Sequence, residues 1–156
     1  VAELGQTVDM DLTAILDAQC PLDELRSWVD SLDRYPQWLS IVPSALYEQG
    51  SEPPAWSVEL RAKVGPIARS KRLRMLRTVD ESDHLRFERS EVDGRSHSPW
   101  ILDVRLGPID GGTRLTMSLH YGGSFGAGLF ERLLEDEIES SKQTLRSLVE
   151  EGRHIP

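Results

Sequence analysis

The sequence predicts an α+β fold: a curved seven-stranded antiparallel sheet around a long C-terminal helix, with two short helices after the first strand. Three observations point there. Apolar and polar residues alternate with period two in one stretch after another, which is the strand signal. The stretch opening at Pro21 carries helix-start chemistry instead. The chain closes on a segment whose apolar residues fall on one helical stripe.

In the first strand Val8, Met10, Leu12, Ala14 and Leu16 alternate with Asp9, Asp11, Thr13 and Ile15. Pro21 then opens a helix, with Asp23 and Glu24 in its first turn and Leu22, Leu25, Trp28, Val29 and Leu32 on one face. Tyr35-Pro36-Gln37-Trp38-Leu39 reads as a second short helix. Ser44 to Gln49 is a weakly marked strand, and Gly50 to Pro54 is a turn. Trp56, Val58, Leu60, Ala62 and Val64 mark the next strand, which turns back at Gly65-Pro66. Ile67–Val79, Leu85–Val92, Arg95–Leu106 and Thr113–Tyr121 complete the sheet. Asp93-Gly94 matches a two-residue hairpin, since a type I′ turn needs positive φ at both central positions. That register sets Phe87 opposite Trp100, Leu85 opposite Leu102 and Arg89 opposite Ser98. Pro99 lacks a ladder donor, so a bulge is expected there. The last helix runs from about Gly126 to Glu151, with Phe130, Leu133, Leu134, Ile138, Leu145 and Leu148 as its stripe.

At 156 residues the length fits a single domain over the whole chain, with Val1 to Gly5 expected as a disordered leader. The net charge of −8 argues against attraction to nucleic acid or anionic membranes. No apolar run reaches the ~20 residues of a membrane span, so no stable membrane insertion is expected. No secretory signal is visible, and the lone Cys20 offers neither an internal disulfide nor a cysteine zinc site. A cytoplasmic protein is the expectation, as a monomer or a dimer.

The order of elements resembles the START-like, or SRPBCC, superfamily, which includes polyketide cyclase/dehydrase-like proteins. The likeness rests on the first strand running into Ala18-Gln-Cys-Pro21-Leu-Asp-Glu-Leu-Arg-Ser-Trp28. It continues through Asp33-Arg-Tyr-Pro36-Gln-Trp38-Leu39, Phe87-Glu-Arg-Ser-Glu-Val-Asp-Gly94 and the final amphipathic helix. The resemblance implies a helix-grip fold with a ligand cavity between sheet and helix. Among its members are aromatase/cyclases, lipid carriers and quinone-binding proteins, so fold alone does not choose a function.

In a helix-grip topology the turns at Gly65-Pro66, Asp93-Gly94 and Gly122-Gly123 share one end, where ligands enter. Strand parity then sorts side chains. Met75, Phe87, Trp100 and Met117 face inward, and so do Arg69, Lys71, Arg89, Glu91, Ser98 and Tyr121 nearer the mouth. Phe130 and Leu134 close the cavity from the helix, and Glu137 and Ser141 fall inside its stripe. Arg69, Met75, Phe87, Arg89, Ser98, Trp100, Met117, Tyr121, Phe130, Leu134, Glu137 and Ser141 are thus the expected ligand contacts. The ligand is an apolar or amphipathic small molecule such as a lipid, quinone or polyketide. Arginine suits an acidic head because its planar fork donates two parallel hydrogen bonds. The bland reading pairs Arg89 with Glu91 or sets Glu91 against Lys71.

An aromatase/cyclase or dehydratase is the alternative, with Tyr121 and Glu137 as the candidates for acid and base. His84, His97 and His120 have outward parity, so neither a catalytic histidine nor a metal site is expected. The Gly122-Gly-Ser-Phe-Gly126-Ala-Gly128 run fits neither phosphate-loop spacing, and no cofactor is expected. Residues 61–95 hold ten Lys/Arg against six Asp/Glu. This basic sheet face marks the third reading, a protein-interaction module with a collapsed cavity. Cross-strand pairing with acids explains it more simply.

Overall fold

Rows of apolar side chains hold the sheet in one register. The computed structural model describes residues 9–122 and 129–151; the side chains of residues 64, 67 and 129–132 fall outside that description. Seven antiparallel strands lie in the order β1-β7-β6-β5-β4-β3-β2. They are β1 Met10–Ala18, β2 Ser44–Glu48, β3 Ala55–Val64, β4 Ile67–Asp80, β5 His84–Arg89, β6 Trp100–Ile109 and β7 Gly112–Tyr121. Across β1, β7 and β6 the inward rows read Met10–Tyr121–Trp100, Leu12–Leu119–Leu102, Ala14–Met117–Val104 and Leu16–Leu115–Leu106. Across β3 and β4 they read Trp56–Met75, Val58–Leu73, Leu60–Lys71 and Ala62–Arg69. The rows set apolar groups against each other on one face, the arrangement that fixes register, except that Lys71 and Arg69 enter the last two rows toward the Gly65-Pro66 turn. At the β1–β7 end, a Cβ on Gly112 would lie 2.0 Å from the Ala18 carbonyl oxygen, so only glycine fits that approach.

The predicted β5–β6 hairpin needs correction. Phe87 lies opposite Leu102 and Leu85 opposite Val104, two residues away from the tight-turn register. The ladder stops at Arg89 and resumes at Trp100. Gly94 does adopt a left-handed φ of 75°, and the Arg95 amide donates to Asp93 Oδ1 at 3.0 Å. The turn therefore exists, but inside a longer loop. That loop folds over Arg89, whose Nε donates to Glu91 Oε2 at 2.7 Å and whose Nη1 donates to the Ser98 carbonyl at 3.3 Å. A slip of two leaves every side chain on its predicted face, because the strand period is two. The observed register shift falls instead between Arg77 and Val79 on β4.

The segment after β1 is shorter in helix than its apolar pattern implies. It consists of α1 Leu22–Arg26 and a 3₁₀ turn, Leu32–Gln37. Buried Leu25, Val29, Leu32, Tyr35 and Trp38 plug one end of the core. Polar atoms in the plug find partners. Tyr35 donates its hydroxyl to the Val29 carbonyl at 3.0 Å, and burial, reinforced by Asp30, pushes its pKa well up. Trp38 Nε1 donates to the Trp28 carbonyl at 3.1 Å, and Trp56 Nε1 donates to Asp33 Oδ1 at 2.8 Å. Asp33 thereby ties the 3₁₀ turn to β3. Asp33→Ala leaves a buried indole N–H unmatched and should cost about 1–3 kcal/mol. Asp33→Asn keeps a carbonyl acceptor and should cost clearly less; thermal denaturation of the two variants checks this.

Helix α2, Leu129–Glu151, lies across the sheet and touches β1 and β3. Leu134, Ser141, Leu145 and Val149 are its buried residues among the described ones, spaced to form one stripe. The predicted start near Gly126 and the leader Val1 to Gly5 lie outside the described residues.

Candidate functional site

Packing between sheet and α2 is incomplete. A cavity of about 130 Å³ remains there. β1 and β7 wall it with Leu12, Ala14, Met117 and Leu119; β4 contributes Leu73 and Met75. Tyr35, Trp38 and Leu39 close one side, and Leu134, Ile138 and Leu145 of α2 close another. Lys142 is the one charged residue among the described lining, and its ammonium pairs with Glu139 at 3.0 Å. Leu12, Ala14, Leu102, Met117 and Leu119 all point inward yet keep part of their surface accessible. A filled interior would bury them completely.

A second space of about 230 Å³ adjoins the first and differs in chemistry. Both are lined by Ile41, Leu60, Trp100 and Leu134. This vestibule also takes in Ser40, Arg61, Lys63, Arg69 and Glu137. It sits beside the Gly65-Pro66 turn, the end assigned to the mouth from the sequence. β2 pairs with β3 only as far as Glu59, so from Leu60 onward β3 has no strand on that edge. The Arg61 amide donates to the Ile41 carbonyl at 2.9 Å, so the chain before β2 closes back on that edge. Ser40 Oγ donates a short hydrogen bond to Glu137 Oε2, and its amide lies 3.4 Å from Ser141 Oγ. The two contacts pin the Ser40 loop to α2 between the cavity and the vestibule.

The structure distributes the expected contacts over three places. Met75, Trp100, Met117 and Leu134 line the apolar cavity, and Arg69, Trp100, Leu134 and Glu137 line the vestibule. Ser141 is buried under the Ser40 loop. Arg89 and Ser98 lie in the β5–β6 connection. The Arg89 side chain is only 8% exposed and is occupied by Glu91, Ser98 and His97. Tyr121 stacks on Trp100 with ring centroids 5.1 Å apart, and it lines neither of these two spaces. Phe87 is fully buried, edge-on to Tyr35 and Trp56. The Phe130 side chain lies outside the described residues.

Lys71 extends over the Trp100 ring, 5.9 Å from its centroid. Burial and then the Arg89 guanidinium lower its pKa, while Glu91 opposes them. His84 and His120 sit on the outer sheet face, against Asp103 at 2.6 Å and Asp11 at 2.8 Å, and His97 meets Asp93 in the loop at 2.9 Å. The hydrogen bond to Asp11 raises the His120 pKa. Among the described residues no cluster of His, Cys, Asp or Glu could hold a metal ion. No helix there is long and apolar enough to cross a membrane.

Parity missed two contributors. Arg61 and Lys63 alternate outward with Leu60 and Ala62, so only the early stop of β2 brings them to the vestibule. Ser40 and Ile41 belong to a loop with no periodicity to read.

No family model matches the sequence, and no curated protein matches it. Solved structures do. The di-domain ARO/CYC StfQ from the steffimycin biosynthetic pathway superposes with a TM-score of 0.70 at 12% identity, over 95% of this chain and 53% of that one. The chain thus spans about half the length of that protein. A START superfamily protein from Mycobacterium smegmatis gives a TM-score of 0.67 at 14% identity, over 90% and 97% of the two chains. A protein of Thermus thermophilus gives 0.72 at 16%, over 92% and 99%. With the strand order, the paired short elements after β1 and α2 across the sheet, these matches establish that the chain has the START-like helix-grip fold.

Proposed function

We propose that the protein binds a hydrophobic or amphipathic small molecule between the sheet and α2. One observation carries the reading: an apolar cavity stays open in a core that has Trp, Met and Phe side chains available to fill it. Interiors pack densely by default, so a retained void with a polar antechamber is a binding-site geometry. The START superfamily and ARO/CYC names of the structural neighbours support it by analogy of fold.

Cyclase or dehydratase chemistry would have to run in the same space. Glu137 reaches the vestibule, but Tyr121 lies behind Trp100, so binding is the better supported role. Native mass spectrometry of freshly purified protein, followed by titration with fluorescent fatty acids and aromatic probes, tests it. A co-purified apolar ligand or saturable uptake is expected. Empty protein that takes up none of the probes would overturn the proposal.

A further inference from the structure

The vestibule narrows the ligand class, an inference that rests on the binding reading above. Acids outnumber bases 26 to 18 in this chain. Elsewhere several cations are neutralised: Arg26, Arg74, Arg89 and Arg114 each hold a carboxylate within 2.8 Å. Arg61, Lys63 and Arg69 do not. All three are exposed and line the vestibule, and none forms an ion pair among the described residues. Arg69 has the inward parity of Lys71 and Leu73, while Arg61 and Lys63 come from the part of β3 beyond the end of β2. Glu137, the one carboxylate of the described lining, already accepts the Ser40 hydroxyl. The vestibule therefore offers three cations against one engaged anion. At physiological salt the Debye length is about 8 Å, so the chain's net negative charge does not cancel this local excess.

Size supplies the second constraint. The apolar cavity measures about 130 Å³. A dry cavity of about 150 Å³ lined by aliphatic and aromatic groups holds benzene. We infer that the ligand is a small anionic amphiphile: a carboxylate whose apolar body, about six carbons, enters the cavity. Its head remains among Arg61, Lys63 and Arg69. A guanidinium recognises that head through charge-assisted hydrogen bonds, which are stronger than neutral ones.

Calorimetric titration of the intact protein with octanoate, octanol and octyltrimethylammonium separates the outcomes. Octanoate should bind at least about tenfold tighter than octanol, the effect of a charge-assisted hydrogen bond. Replacing Arg61, Lys63 and Arg69 together by Ala should erase that advantage, so that octanoate binds the variant no tighter than octanol does. The single Arg69→Ala variant should lose part of it, and rising salt should weaken octanoate alone. The size limit predicts that affinity stops rising between octanoate and decanoate. Octanol binding as tightly as octanoate, a preference for octyltrimethylammonium, or an unchanged triple variant would overturn the anionic head while leaving the binding proposal standing. Affinity that keeps rising to palmitate would overturn the size assignment. Failure of all three octyl probes would overturn this ligand class, and only failure of the fatty-acid and aromatic probes as well would remove the binding reading on which it rests.

Discussion

Phe87→Ala is expected to destabilise the protein by roughly 3–5 kcal/mol, the usual cost of emptying a fully buried phenylalanine site. For a chain of this size that corresponds to a melting temperature lower by about 10 °C or more. The argument rests on position. Phe87 is inaccessible to solvent and meets Trp56 edge-on at 5.8 Å and Tyr35 at 6.4 Å. Trp56 is anchored through its indole to Asp33, and Tyr35 through its hydroxyl to Val29. Phe87 thus joins the middle of the sheet to the 3₁₀ plug that closes the cavity. The surrounding rings are tied by hydrogen bonds and cannot collapse into the space. Ligand affinity measured well below the transition should change little, because Phe87 lines neither cavity nor vestibule. A large loss of affinity with little loss of stability would assign Phe87 to the ligand instead.

The same residue shows how far sequence reasoning reaches. Period-two alternation placed Phe87, Met75, Met117 and Trp100 on the inward face, and the structure has them there even though the β5–β6 register is two residues away from the tight hairpin. Parity survives any even slip, so face assignment is robust where register is not. The register depended on long-range facts: Arg89 gathers Glu91 and Ser98 around it and draws the loop out of the ladder. No local pattern announces that closure. The cavity walls were legible for the same reason as the faces. The vestibule was not, because it depends on where β2 stops and on how an aperiodic loop returns to the free edge of β3. Asp33 and Tyr35 were legible as a family-like segment, but their task, fastening the plug with hydrogen bonds, needed coordinates.

Filling the cavity should separate its role in binding from its role in stability. Ala14 lies on β1 opposite Met117, its small side chain forming part of the cavity wall. Ala14→Phe directs a ring into that space from a strand whose backbone is paired along its whole length with β7. Each buried methylene of a ligand contributes ~0.8 kcal/mol, so excluding three or four of them should weaken an apolar ligand roughly a hundredfold. Stability should hold or rise, since the ring occupies existing space rather than displacing packed atoms. The opposite pattern, a strong fall in melting temperature with affinity intact, would mean that Ala14 faces packed core and that the ligand sits elsewhere. Leu46→Ser is the matched control: Leu46 is 62% exposed on β2, away from both spaces, and neither melting temperature nor affinity should move. Affinity lost with the fold intact in Ala14→Phe, and both intact in Leu46→Ser, would tie binding to the void itself.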